Sequence, residues 1–264
     1  MKSPPSVPLQ AIVLGRKAYG EADWILTLFT REKGLLRAIA PHGRASRKRF
    51  GGALDLFCRV QVELARAPAK GRGGEGTLER MASAELLEPY LGLRSSLEAL
   101  ETAALSCEAL ACLTHEHEVL PGLFGDLSAL LSEASRPGGV GQAVLRVWFF
   151  LRLLSDAGMA PQVSACVRCG KGPGEFPEAL FSSGEGGILC GACAGALGPK
   201  ALPAAGVRIL AQVAASDLPG LAGIRVSAKG AGHLEELIRA FVEDRAGRPL
   251  KRARPAPGAQ AKGD

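Results

Sequence analysis

Four cysteines of this chain form two C-x-x-C pairs, which is the spacing of a structural metal site. The pairs are Cys166/Cys169 and Cys190/Cys193, with 20 residues between them. Each C-x-x-C turn places two sulfurs on one side of a tight bend, and the intervening loop can fold back to complete a tetrahedron of thiolates. Because the protein would then fill every coordination position, the pattern predicts one structural Zn²⁺ per chain.

Two disulfides, or four unrelated thiols, are the competing interpretations of these cysteines. A disulfide framework is typical of small secreted domains, whereas this chain has 264 residues and begins without a hydrophobic run long enough for a secretory signal. The other cysteines, Cys58, Cys107 and Cys112, lie in apolar sequence and are expected to be reduced core residues. No apolar stretch is long enough to span a bilayer, so we expect a cytoplasmic location and no membrane partner.

The charge is unevenly distributed, although its formal sum is only +6. Residues 1–80 carry 15 lysines and arginines against 7 acidic residues, whereas residues 81–244 carry 11 against 18. The last 20 residues are basic again, with 6 against 1. A basic N-terminal module favours a polyanionic partner such as nucleic acid. The alternative is a basic surface that only keeps the protein soluble.

The first 80 residues have the pattern of a small β-barrel. Four runs rich in β-formers are separated by turn residues, and the stretch that follows them is expected to be a fifth strand or the start of a helix. The fourth run alternates, and its apolar positions are expected to share one face. These positions are Leu56, Cys58, Val60, Val62 and Leu64. Five short strands in this length fit an OB-fold, a Greek-key barrel that binds oligonucleotides.

From about residue 95, apolar residues recur at helical intervals. The predicted helices cover 95–113, 123–135, 141–158, 204–216 and 231–245. Ser95 and Glu98 form a capping box at the start of the first, and the third is the most apolar and is expected to be central. The cysteine pairs interrupt this series, with a short hairpin between them.

The predicted fold class is therefore α+β with several domains. An N-terminal OB-fold barrel over residues 1–80 is followed by an α-helical domain over 81–245. A four-cysteine zinc module at 163–196 is inserted in the helical domain. A basic tail over 246–264, rich in proline, glycine and charge, is expected to be disordered.

Basic residues cluster where an OB-fold would meet nucleic acid. In an OB-fold, the loops between strands and the adjoining face line the oligonucleotide groove, and cations there neutralise phosphates without reading sequence. The predicted nucleic-acid-binding residues are Lys17, Arg44, Arg47, Lys48, Arg49, Lys70 and Arg72. Phe50, Tyr19 or Trp24 could stack on a base, although lone aromatic residues are more often core and Trp24 is expected to be core.

The sequence contains no arrangement of residues typical of catalysis, and no enzymatic activity is predicted. A zinc-dependent nucleic-acid enzyme is the alternative of a different class, but it requires an open metal position and a nearby general base. An RNA-binding OB-fold protein is a further alternative, which the residues alone leave open.

Several motifs follow one another over nearly the whole chain: Gly20-Glu21-x-Asp23, Phe29-Thr30, the basic segment before Phe50-Gly51-Gly52, the helix ending LLSDAG, the CVRCG and ILCGAC pairs, and the late segments LIRAF and RPLKR. In this order they resemble the RecO family of bacterial recombination mediators. The glycine- and arginine-rich stretch at 70–76 is longer than the family pattern, which leaves its DNA contacts open.

The resemblance implies a non-enzymatic protein of recombinational DNA repair. It implies binding to single- and double-stranded DNA and annealing of complementary strands, including strands coated with single-strand binding protein (SSB). It also implies two protein partners, RecR and the C-terminal tail of SSB, and loading of the RecA recombinase together with RecR. A cytoplasmic, nucleoid-associated location follows from these roles.

Overall fold

The computed structural model describes residues 8–65, 78–172, 174–176, 178–195 and 200–251. Its N-terminal part is a closed five-stranded barrel. The strands are β1 (Leu9–Tyr19), β2 (Asp23–Thr30), β3 (Gly34–Ala40), β4 (Arg59–Leu64) and β5 (Glu79–Glu88). They close in the order β1-β2-β3-β5-β4, and only the β3–β5 pair is parallel. The predicted OB-like barrel and its fifth strand are confirmed.

The last barrel strand lies further along the chain than the sequence pattern suggested. Because β5 runs from Glu79 to Glu88, the boundary that we predicted at residue 80 falls inside this strand. The glycine-rich stretch, where the composition changes, precedes β5 and does not end the barrel. The barrel therefore extends to about residue 88.

Side chains of the strands alternate between the barrel interior and its outer surface. Val60 and Val62 of β4 are fully buried, as predicted. Leu56 does not share their face, because it precedes β4 and is 38% exposed. The next residue, Phe57, has a φ of +68° and breaks the alternation there. A short helix, α1 (Arg47–Phe50), lies between β3 and β4.

The outer surface of one part of the barrel packs against the helical domain. Ile12, Phe29 and Leu35 lie in adjacent strands and are buried in the same core as the helices. The rings of Phe29 and Phe124 are 6.0 Å apart. At Gly34, where φ is +66°, a side chain would collide with the backbone of Glu118. The two domains therefore share one continuous hydrophobic core.

Among its described residues, the helical domain has five longer α-helices and one short one. They are α2 (Leu97–Leu113), α3 (Pro121–Ala134), α4 (Gln142–Asp156), α5 (Gly191–Ala194), α6 (Ala204–Ala215) and α7 (Ala228–Ala246). As predicted, α4 is central, since it packs against α2, α3, α6 and α7. In the parts of the chain that the structure describes, every helix is too short or too polar to cross a bilayer.

The cap of α2 differs from the prediction by one residue. Ser96 is the N-cap, and its hydroxyl accepts a hydrogen bond from the Ala99 amide. A 3-10 helix over Leu91–Ser95 precedes α2, and the Ser95 hydroxyl donates to the Gly92 carbonyl within it. The predicted capping box of Ser95 and Glu98 is therefore wrong, because Ser95 belongs to the preceding turn.

Part of the predicted tail over 246–264 is folded onto the helical domain. After Gly247, Arg248 donates a hydrogen bond of 2.7 Å to Glu108 of α2, and Leu250 is buried in the main core. The structured domain thus continues to residue 251, and residues 252–264 lie outside the described part of the chain.

Candidate metal centre and nucleic-acid interface

The four cysteines are positioned by a small three-stranded sheet next to the helices. The hairpin predicted between the cysteine pairs is present as β6 (Ala179–Ser182) and β7 (Gly187–Cys190), and β8 (Lys200–Leu202) pairs with β6. Cys190 ends β7 and Cys193 lies in α5. The first pair lies in a turn in which Gly170 has a φ of +75° and donates to the Cys166 carbonyl.

The four sulfur atoms converge on one point. All four Sγ atoms lie within 4.8 Å of one another, and those of Cys169 and Cys190 are 3.8 Å apart. Thiolates bound tetrahedrally at about 2.3 Å from a single ion would be about 3.8 Å apart, whereas a disulfide requires about 2.05 Å. The cysteines are therefore neither unrelated nor bonded in pairs, and their arrangement can bind a metal ion.

The backbone around the cluster stabilises a thiolate. Burial raises the pKa of Cys166, but hydrogen bonds from the backbone of Cys169, Cys190 and Arg168 lower it, with a net pKa of about 6. Hydrogen bonds with the neighbouring thiols, Cys190 foremost, raise the pKa of Cys193. Four adjacent thiols cannot all ionise without a cation among them, because the thiolates repel one another. A bound metal ion would remove this repulsion.

The hairpin between the cysteine pairs packs on α7. The Phe181 ring of β6 packs edge-to-face against Phe241, with centroids 5.8 Å apart. Arg245 stacks on Phe241 and donates to the Ser183 carbonyl. These contacts join the part of the chain that carries the cysteine cluster to the main helical core.

The predicted basic loop after β3 is a turn that leads into α1, and its residues have different environments. Arg44 is exposed, donates to the Glu21 carbonyl and lies 5.7 Å from the Trp24 ring. Arg16 lies 4.6 Å from the same ring. Trp24 is half-buried against the barrel core, as expected for a core aromatic residue, and Lys48 is exposed.

The structure corrects the prediction for Phe50, and it gives Arg49, which stays a predicted DNA contact, a half-buried position. Phe50 is only 1% exposed and packs in the barrel interior, so it cannot stack on a base. Arg49 is half-buried, since it donates to the Pro41 carbonyl and the Ser46 hydroxyl and lies over Phe50. Of the other predicted residues, the Arg47 side chain, Lys70 and Arg72 lie outside the described part of the structure.

The outer surface of β1, β2, β3 and β5 that the helical domain leaves uncovered carries three exposed cations. We call this surface the open face. Lys17 pairs with Ile25, which pairs with Ile39, which pairs with Arg80, so these side chains form one row across the strands. Arg37 lies in the next row. Lys17, Arg37 and Arg80 are exposed, and none makes an ion pair with another described residue.

Sequence reasoning singled out Lys17 as a candidate interface residue but not Arg37 or Arg80, which the structure places on the same face. Arg37 interrupts β3, in which every other residue is buried, so an arginine there has to face outward. That signal was present in the sequence. Arg80 becomes its neighbour only through the parallel pairing of β3 and β5, which sequence alone does not give.

A second surface feature lies where the barrel meets the helices. This junction groove has a volume of about 330 Å³ and an apolar lining of Leu56, Phe57, Leu93 and Leu100. Arg16 and Arg94 flank it, and both approach Asp55, at 2.8 and 3.8 Å. The groove therefore combines apolar surface with two guanidinium groups and one carboxylate.

Comparison with known proteins covers nearly the whole chain. The family described as "Recombination protein O N terminal" matches residues 5–90, and "Recombination protein O C terminal" matches residues 94–254. A protein named DNA repair protein RecO from Anaeromyxobacter dehalogenans (strain 2CP-C) is 36% identical over 92% of this chain and 93% of its own length.

Two further relatives with the same name agree with that match. The protein from Syntrophotalea carbinolica is 33% identical over 91% of this chain and 90% of its own length. The protein from Myxococcus xanthus is 32% identical over 91% of this chain and 93% of its own length. The junction between the two matched families, at residues 90–94, coincides with the end of the barrel in the structure.

Proposed function

The chain belongs to the RecO family of DNA repair proteins, and on that premise we propose that it is a non-enzymatic mediator that binds and anneals single-stranded DNA. The observation that carries the proposal is the open face, where Lys17, Arg37 and Arg80 are exposed on an OB-like barrel without an acidic partner among the described residues. Such cations release counterions when they bind phosphates, and this gives affinity that is independent of sequence.

Annealing follows from the same charges. Two complementary strands repel each other because both are polyanions, and a basic surface that binds the backbone lowers this repulsion. No bond is made or broken in the process, so the protein needs no nucleophile or general base. Double-stranded DNA presents the same backbone and is a further proposed ligand.

We propose that the cysteine cluster holds one Zn²⁺. The donor set supports this assignment, because four thiolates in a tetrahedral arrangement are typical of structural zinc sites. Cys166, Cys169, Cys190 and Cys193 would fill all four positions, with no position left for water or substrate. The ion would therefore stabilise the hairpin and its contact with α7, in agreement with a protein that is not an enzyme.

The proposed protein partners are RecR and SSB, and the proposed outcome is loading of RecA. Both proposals are based on the family resemblance. The C-terminal tail of SSB combines acidic and hydrophobic residues, which the junction groove complements with Leu56, Leu93 and the guanidinium groups of Arg16 and Arg94. Replacing Leu56 with Glu should weaken binding of an SSB-tail peptide, since it adds a carboxylate to the groove. On the same basis we propose a cytoplasmic, nucleoid-associated location.

An annealing assay on SSB-coated complementary strands tests the proposed function. We expect the protein to accelerate duplex formation without a nucleotide cofactor, and RecR together with it to promote RecA loading onto the coated strand. The same protein titrated with single-stranded DNA and RNA of equal sequence separates the DNA repair role from an RNA-binding one. Annealing no faster than that of SSB-coated strands alone would overturn the proposal.

A further inference from the structure

A cleft of about 460 Å³ lies between the barrel and α3, away from the open face residues already described. Two arginines line it from the barrel side, Arg31 after β2 and Arg59 at the start of β4. Tyr90, Phe124 and Ser128 line it from the helical side. Its lining is more polar than that of the junction groove.

Arg59 is in an unusual environment for a charged residue. Its neighbours across the strands are Ile12, which is fully buried, and Glu88. Its Nε atom is buried and makes no hydrogen bond, and Arg59 makes no ion pair with another described residue. A partly buried guanidinium that makes no ion pair and leaves a donor unsatisfied is costly, and such a donor is open to bound water, an ion or a ligand.

Two hydroxyl groups add a further donor to the cleft. The Tyr90 hydroxyl and the Ser128 Oγ atom are 2.8 Å apart, and whichever of them donates to the other, the second hydrogen remains free for a ligand. Tyr90 has a φ of +44°, a left-handed conformation that residues other than glycine rarely adopt. The fold thus holds this side chain in the cleft at the expense of local backbone stability.

The cleft has a positive balance of charge. Glu88 also lines it, but its carboxylate accepts a hydrogen bond from the Tyr90 backbone amide at 3.3 Å. The lining therefore has two guanidinium groups against one carboxylate. Arg31 is exposed and can move toward a ligand, whereas Arg59 is fixed by its position in β4.

We propose that this cleft binds a phosphate group carried by nucleic acid. The guanidinium fork matches two phosphate oxygens at once, and the free hydroxyl can bind a third. The proposal rests on the proposed function, because it assumes that a DNA strand reaches the domain junction. The phosphate could be an internucleotide group or the terminal group of a strand, and the experiment below separates these sources.

The first arm of the test uses inorganic phosphate and no DNA. We expect phosphate, compared with chloride at equal ionic strength, to raise the midpoint of thermal unfolding of the wild type. The rise should be lost in Arg59→Gln and reduced in Arg31→Gln, whose exposed position makes misfolding no concern. Arg239→Gln is the matched control, since Arg239 also has a buried, unpartnered Nε but does not line the cleft.

The second arm measures binding of oligonucleotides of one sequence with either a 5′-phosphate or a 5′-hydroxyl end. An internucleotide site predicts that Arg31→Gln and Arg59→Gln lower the slope of log K against log salt by about 0.7 on both oligonucleotides. A terminal site predicts that the two variants lose only the advantage of the 5′-phosphate.

Two results would overturn the cleft proposal while leaving the proposed function in place. One is wild-type DNA affinity and salt dependence in both variants, and the other is a phosphate response that is equal in wild type, Arg31→Gln and Arg59→Gln. A wild-type protein that binds no DNA would overturn the proposed function and the nucleic-acid occupant together.

Discussion

Arg146 shows at the residue scale how the helical domain accommodates a buried charge. Its guanidinium donates two hydrogen bonds of 2.7 Å to Glu235 and one of 2.6 Å to the Thr102 hydroxyl. These contacts join α4 to α7 and α2, at the centre of the helices. Since the pair is satisfied in a fixed geometry, removing one partner leaves the other charge without compensation.

Replacing Arg146 with Met should lower the free energy of unfolding by about 3 kcal/mol, because Glu235 would remain half-buried without its partner. Urea unfolding followed by circular dichroism measures the change. The matched control is Arg152→Met, which breaks the more exposed pair with Asp126 and should cost no more than about 1 kcal/mol. Equal losses in the two variants would contradict this account of the buried pair.

The cysteines give a second prediction at this scale. Replacing Cys190 with Ser removes one of four thiolates, so bound zinc should fall from one ion per chain to nearly none. Hydrogen exchange should increase over residues 166–193, whereas DNA affinity should stay within about twofold, because the barrel carries the open face. Elemental analysis of purified protein measures the metal, and Cys112→Ser is the control that should retain it. Metal-free wild-type protein would refute the assignment.

At the scale of elements, α1 gives neighbouring basic residues different environments: one packs against the protein and the other faces solvent. Arg49 donates to the Pro41 carbonyl and covers the ring of Phe50, while Lys48 is exposed and makes no ion pair with another described residue. A basic run in the sequence is therefore not equivalent to a DNA-binding surface, because one turn of helix directs its members differently.

Replacing Arg49 with Ala should destabilise the protein by about 1 kcal/mol through the lost hydrogen bonds and packing. Replacing Lys48 with Ala should change stability by less than about 0.5 kcal/mol and should weaken DNA binding instead. Thermal unfolding and equilibrium DNA titration of both variants separate the two effects. A larger stability loss in Lys48→Ala than in Arg49→Ala would show that these roles are reversed.

The strands and helices could be predicted because each has a local period. The alternation of Val60 and Val62 and the apolar stripe of α4 are visible in short windows of sequence. The cysteine pairs were equally accessible, since metal ligands impose their own spacing. Even the error at Ser95 was local, one residue from the true cap at Ser96.

The open face and the cleft could not be predicted from local periodicity, because strand register and domain packing bring their residues together. Arg80 reaches the row of Lys17 only by pairing with Ile39, and Arg59 lines one cleft with Ser128 only because the barrel packs beside α3. Phe50 failed as a stacking residue for the same reason, since the path of α1 turns it into the barrel.

For the molecule as a whole, the shared core makes the barrel and the helices interdependent. A fragment that ended at residue 80 would lose most of β5 and expose Ile12, Phe29 and Leu35, which the helical domain now covers. Single substitutions in the intact chain therefore test the division of roles better than a truncation does.

The shared core predicts a single cooperative unfolding transition. Each domain contains one tryptophan, Trp24 in the barrel and Trp148 in α4. Fluorescence of the Trp24→Phe variant then reports the helices, and that of Trp148→Phe reports the barrel. In each variant, the midpoint of unfolding measured by tryptophan fluorescence should coincide with the midpoint measured by circular dichroism. A barrel signal that changes well before the global transition would mean that the domains unfold separately.

The most direct measurement is the salt dependence of DNA binding by a Lys17→Ala/Arg37→Ala/Arg80→Ala variant. Equilibrium titration of a single-stranded oligonucleotide should give a slope of log K against log salt that is smaller than the wild-type slope by about 2, at about 0.7 per lost contact, for any sequence. A control that removes the exposed cations Arg208, Arg225 and Lys229 of the helical domain should keep the wild-type slope. An unchanged slope in the open-face variant, with a loss in the control, would contradict the account.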